Sequence, residues 1–168
     1  MQGELLLLRL VHVLGGVFWV GSGIFTAFFL LPAMAPTGPA AGQIMANLAQ
    51  RRLFVVLPTV AVLTMLSGLR LMMITAAGRS DYFASRSGMT YSISATAAVV
   101  GFFLSLLIAR PGSVRIGMLS QQAAADPASR ERVAAEIAVI QRRVKNSSVL
   151  AVALLIFAAA GMAVARYL

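Results

Sequence analysis

The single histidine of the chain, His12, lies on a stripe that reads Arg9, His12, Gly16, Trp19, Gly23. Spacings of three and four residues put all five on one face of a helix. The sequence from Leu5 to Leu31 around them is apolar. At a rise of about 1.5 Å per residue it can cross a bilayer core of about 30 Å. An imidazole and a guanidinium at that depth are costly unless they face a packed interior, a cavity or each other. The stripe is therefore the first place to look for function.

Two ligand chemistries fit parts of it. A haem b or another porphyrin would take His12 as an axial ligand, with Arg9 and Arg70 against its carboxylates. Gly16, with Gly15 and Gly23, would let a flat ring approach the backbone beside Trp19. Copper in its cuprous state would take His12 with the thioethers of Met72 and Met162. Arg9, Arg70 and Arg166 all fall toward one membrane face, as do Met73, Met89, Tyr91, Ser92 and Ser94. Three nearby guanidinium groups oppose a bare cation and favour an anion: a porphyrin, a quinone or a lipid phosphate. One histidine cannot supply two imidazoles, so methionine, a second protomer or five-coordination would complete an iron site.

The structural alternative carries no cofactor at all. His12 would then bond a neighbouring carbonyl or hydroxyl, the arginines would snorkel to headgroups, and Gly16 to Gly23 would form a packing seam. The two readings differ in what His12 meets. A seam buries it against Thr64, Ser67 or a third-run hydroxyl, whereas a ligand site leaves a ring nitrogen free beside a cavity that an arginine can reach. No residue is assigned a catalytic role, and the sequence leaves open whether the protein is an enzyme.

The elements that must position these residues are membrane helices. The chain has 168 residues, 60% hydrophobic and 11% charged, which places it among integral membrane proteins rather than soluble domains. A net charge of +9 would suggest nucleic acid in a soluble protein. Here the arginines cluster at the ends of apolar runs and in one loop, so they report topology and lipid contact, and nucleic acid is excluded as a partner. Lack of cysteine removes disulfides, thiolate metal sites and iron–sulfur clusters.

Four runs have spanning length, at about residues 5–31, 53–73, 89–109 and 149–167. They predict one all-α transmembrane domain over 1–168, a four-helix bundle with short amphipathic interfacial helices. The first run reads as a retained helix rather than a leader, because Met1–Glu4 has no Lys or Arg, the run is long and Pro36 follows Ala33-Met34-Ala35. Pro32, Pro36, Gly38 and Pro39 should stop it, and residues 40–52 should form an interfacial helix. Pro58 should kink the second run. The polar opening of the third run should face the bundle, and Arg110-Pro111 should end it. In the 110–148 loop, Asp126-Pro127 should start an amphipathic helix with Val133, Ile137, Ile140 and Val144 on one face. That helix would lie on the membrane or prolong the fourth span.

Nine of the fourteen cations fall in the loops after the first and third runs, Arg110 to Lys145 above all. The positive-inside rule then puts those loops in the cytoplasm and both termini outside it.

The run Arg9-Leu10-Val11-His12-Val13-Leu14-Gly15-Gly16, then Phe18-Trp19-Val20-Gly21 and Leu31-Pro32, resembles the opening helix of the copper-resistance protein D (CopD)-like group of bacterial membrane proteins. Gly38-Pro39, Thr64 with Ser67-Gly68, and Met162 to Tyr167 are similar to members of the same group. HemJ-type protoporphyrinogen oxidases are a more distant likeness, through a four-span core with an arginine and a histidine in the opening helix. The resemblance implies a multi-pass protein of the bacterial plasma (inner) membrane that handles copper or a porphyrin, or serves as a non-enzymatic scaffold or accessory subunit. It implies the lipid bilayer as surroundings, with a second copy or a membrane subunit as partner. His12, Arg9 and Trp19-Val20-Gly21 are the residues that carry over. Later-span histidines or a lysine, which related proteins use for metal or haem, are absent, the sole lysine being Lys145.

Overall fold

In a computed structural model, which describes residues 2–34, 44, 47, 48 and 50–168, the chain is helical, with no strand among the described residues. Four helices are long and apolar enough to span a membrane: α1 (Gln2–Met34), α2 (Leu53–Ala76), α3 (Arg86–Ala123) and α4 (Arg130–Tyr167). Helices suit lipid because each satisfies its own backbone hydrogen bonds. The Gly38-Pro39 turn and most of the interfacial segment 40–52 lie outside the described residues.

The bundle is two antiparallel hairpins. α1 packs on α2 and α3 on α4, and the hairpins meet chiefly along α1 and α4. Glu4 at the start of α1 pairs with Arg70 near the end of α2, and the Ser87 hydroxyl at the start of α3 donates to the Ala165 carbonyl at the end of α4. At the centre Ala97, Ala98, Leu155 and Ala158 form a small-residue core, onto which Trp19 and Val20 of α1 pack. Small side chains let backbones approach closely, as membrane helices require in the absence of a hydrophobic drive between them. The outward faces carry Leu7, Leu14, Val17, Phe25, Phe29, Leu66, Leu107 and Phe157, all exposed and suited to acyl chains.

One expectation about a helix end is corrected, that for Arg110-Pro111, while Pro36, Gly38 and Pro39, expected with Pro32 to stop the first helix, lie outside the described residues. Neither Pro32 nor Arg110-Pro111 stops its helix. Each proline follows a five-residue π-helical turn, Thr26–Leu30 and Ser105–Ala109. In both, the residue before proline donates its N–H five residues back, Leu31 to Thr26 and Arg110 to Ser105. A proline ring collides with the carbonyl four residues earlier and offers it no hydrogen. The widened turn relieves both problems, so the helix continues. α2 likewise runs unbroken through Pro58.

The predicted 110–148 loop is consequently mostly helix. α3 and α4 are each 38 residues, about 57 Å at the helical rise, so their paired ends project well past the hydrocarbon. Val133 and Val144 are buried in that projection with Leu119, and Arg115 pairs with Glu136 across it at 3.0 Å. The amphipathic stripe thus prolongs the fourth span. Asp126 accepts the Ala128 N–H and Pro127 opens a 3-10 turn, Pro127–Ser129, so the α-helix begins at Arg130.

Candidate functional site

His12 sits in the α1–α2 seam, half-buried, with Nδ1 2.8 Å from the Thr64 backbone carbonyl. A carbonyl can only accept, so Nδ1 carries the proton and donates it. Nε2 has no hydrogen-bond partner among the described residues, and it is not a sealed, unsatisfied atom. An imidazole that donates from Nδ1 in its neutral form carries its lone pair on Nε2.

Glycine at 68 makes this placement possible. A Cβ there would lie 2.5 Å from His12 Cε1 and 2.8 Å from Nδ1, so the imidazole rests against bare backbone. One α1 turn further, a Cβ at Gly15 would overlap the Thr64 hydroxyl, while one at Gly16 would meet only Thr64 Cγ2 at 3.8 Å. Gly15 and Gly68 are thus the tight positions of the seam. Gly16, singled out by its stripe spacing, is the looser neighbour.

The rest of the stripe divides between two interfaces. Trp19 meets Phe102 edge-on, with ring centroids 6.1 Å apart, and Gly23 faces Val152 and Leu155 of α4. Arg9 is exposed on α1. Arg70 is held by Glu4, its Nε and Nη2 donating to one carboxylate oxygen at 3.0 and 2.7 Å. Met72 lies one α2 turn beyond Gly68 and is half-buried. Met162 follows Gly161, which packs on Ser94, and so belongs to the α3–α4 hairpin. Arg166 stacks over Tyr167, 4.8 Å from the ring centroid, at the end of α4. Gly68, against which His12 rests, and Met72 are one turn apart on α2, whereas Trp19 and Arg166 make ring contacts elsewhere.

The hydroxyls expected to line the site satisfy themselves locally. Thr64, Ser92 and Thr96 donate to carbonyls four residues back in their own helices, and Thr96 faces outward. Ser94 and Thr64 are the buried ones, 1% and 6% exposed. No group of three or more His, Asp or Glu side chains that could hold a metal is present among the described residues.

Two of the clefts among the described residues lie away from His12, which lines neither. One, of about 800 Å³, is an open apolar groove between α3 and α4, with Leu104, Ile108, Arg142, Arg143 and Leu150 in its walls. The other, of about 410 Å³, opens at the end of the bundle where α2 stops and α3 starts, among Arg79, Tyr82, Arg86, Ser87, Tyr91 and Arg166. Of these, Tyr91 and Arg166 were visible as polar residues at helix ends. Arg79 and Arg86 flank the α2–α3 turn, and only folding that turn back brings them together. Comparison with protein-family models, with curated proteins and with solved structures finds no match for the chain.

Proposed function

We propose that this is a haem- or porphyrin-binding membrane protein of CopD-like type, in which His12 offers Nε2 as an axial ligand. One observation carries the reading. The Nδ1 hydrogen bond to the Thr64 carbonyl fixes ring orientation and tautomer, which is how ligating imidazoles are held and made more basic. A packed histidine with no further task gains nothing from leaving its second nitrogen free in the bilayer. An iron-porphyrin held by that nitrogen would supply one-electron chemistry at its iron. Arg9, exposed one turn from His12 on α1, is positioned for a carboxylate, and Arg70 could join it by exchanging Glu4 for one. Because this chain offers a single imidazole, any further protein ligand to a bound iron would come from methionine, a second copy or a partner subunit.

Met72 favours a second reading, cuprous ion held by His12 Nε2 and that thioether. Protein purified in detergent after haem-replete expression should show a Soret band that His12→Ala diminishes. Copper that survives dialysis and is lost in a His12→Ala, Met72→Leu double variant would replace the haem reading with the copper one. Neither pigment nor metal on the wild-type protein would contradict both and leave a scaffold or accessory subunit.

We place the chain in a bacterial plasma membrane with both termini outside the cytoplasm and the basic α3–α4 projection inside, on the asymmetry of arginine. A label attached after Leu168 should react from the outside. Reaction only from the cytoplasm would overturn this orientation.

A further inference from the structure

The cleft of about 410 Å³ at the α2–α3 turn is separate from His12 and is built from different residues. Its walls carry three guanidinium groups, Arg79, Arg86 and Arg166, and none has a carboxylate within ion-pair distance among the described residues. Two are instead set by aromatic rings. Arg79 lies 5.3 Å from the centroid of Tyr82, and Arg166 is stacked on Tyr167. Stacking occupies the face of a guanidinium and leaves its N–H edge to bond something else.

The backbone adds to the same field. Ser85 caps α3 by accepting the Gly88 N–H at 3.1 Å, so Arg86 and Ser87 are the first helical residues, where amide hydrogens lack partners within the helix. Tyr91 and buried Tyr82 also line the cleft, with Thr75, Ser85 and Leu168. Burial, then the neighbouring Tyr91, push the Tyr82 phenol upward despite the lowering by Arg79, so it remains a protonated donor at neutral pH. Ser87 bonded to Ala165 ties the start of α3 to the end of α4, so the walls are held by two helix ends.

We propose that this cleft binds a phosphate-bearing group of a lipid headgroup or a soluble phosphate compound. Guanidinium forks, hydroxyl donors and a helix N-terminus are together the chemistry that recognises phosphate oxygens. The volume lies in the range of small-molecule sites, large enough for more than one phosphate. It lies at the ends of α2, α3 and α4, and a bilayer around their apolar stretches would bring headgroups to such helix ends.

The test compares wild type, an Arg79→Gln, Arg86→Gln, Arg166→Gln triple variant, and an Arg142→Gln, Arg143→Gln control at the opposite end, all in neutral detergent. Binding of labelled phosphatidylglycerol and of inorganic pyrophosphate is measured by titration, with helicity by circular dichroism. Wild type and control should bind alike, and the triple variant, with helicity unchanged, should lose at least about tenfold in affinity. Added salt should weaken the wild-type complex. Binding of the lipid alone assigns the source to the membrane, and pyrophosphate competing with it assigns the site to phosphate from either source. If wild type binds neither probe, or the triple variant and the opposite-end control bind equally well, the proposal fails. Should the triple variant lose helicity, Arg86→Gln alone, on an exposed side chain, is expected to give a smaller loss of affinity with the fold intact, and no loss would overturn the assignment.

Discussion

Gly68→Leu should part α1 from α2 and unseat His12. Any side chain at 68 begins 2.5 Å from His12 Cε1, and the ring cannot retreat without giving up the Thr64 carbonyl. Overpacking of this kind costs about 1–3 kcal/mol, and the lost hydrogen bond adds about 1 kcal/mol. The leucine should therefore lower the unfolding midpoint in detergent and remove whatever His12 binds. Gly21→Leu is the matched control, since Gly21 is exposed with nothing within 4 Å of its Cβ position. That variant should unfold as wild type does, or slightly later because leucine favours helix over glycine. Equal effects at 68 and 21 would mean that the seam does not depend on close approach.

At the other hairpin, Gly88→Ala should be costly for one methyl group. The added Cβ would overlap the Tyr82 carbonyl oxygen and lie 2.8 Å from its carbon and 3.2 Å from Phe83 Cα, all backbone atoms that cannot rotate aside. The turn from Tyr82 to Ser85 must then lift from α3, carrying Arg79 and Tyr82 with it. A loss of about 1–3 kcal/mol is expected, together with weaker phosphate binding while all three arginines remain. Gly16→Ala supplies the contrast. Its Cβ would make ordinary contact with Thr64 Cγ2 at 3.8 Å, so it should be neutral or stabilise by up to about 1 kcal/mol. Thermal unfolding of both variants by circular dichroism checks the pair.

The four helices were legible because spanning length and apolar composition leave no other way to satisfy a backbone in lipid. The partner of His12 was legible in part, since Thr64 is one of the three partners expected of a packing seam, with Ser67 and a third-run hydroxyl, though it contributes its carbonyl rather than its hydroxyl. Arg110-Pro111 misled because a proline after an arginine reads as a stop, and a π-helical turn that absorbs it leaves no mark in composition. The surroundings of the arginines were legible only in part. Placing Arg9, Arg70 and Arg166 near one membrane face fixes their height but not their direction around the bundle. Arg70 finds Glu4 across the hairpin, and Arg166 turns to the α3–α4 end. Choosing Gly16 over Gly15 was a difference of one residue, about 100° around a helix. Only the true rotation of α1 against α2 distinguishes them.

Because His12 is the chain's only histidine, uniform ¹⁵N-histidine labelling yields one pair of ring-nitrogen resonances with no assignment problem. In detergent without added ligand, Nδ1 should appear protonated and Nε2 bare, and the Nδ1 proton should exchange slowly because it is held by the Thr64 carbonyl. On addition of haem, the Nε2 resonance should shift or broaden first. A ring protonated on Nε2, or one whose two nitrogens exchange their proton freely, would contradict a histidine oriented to offer Nε2 as a ligand.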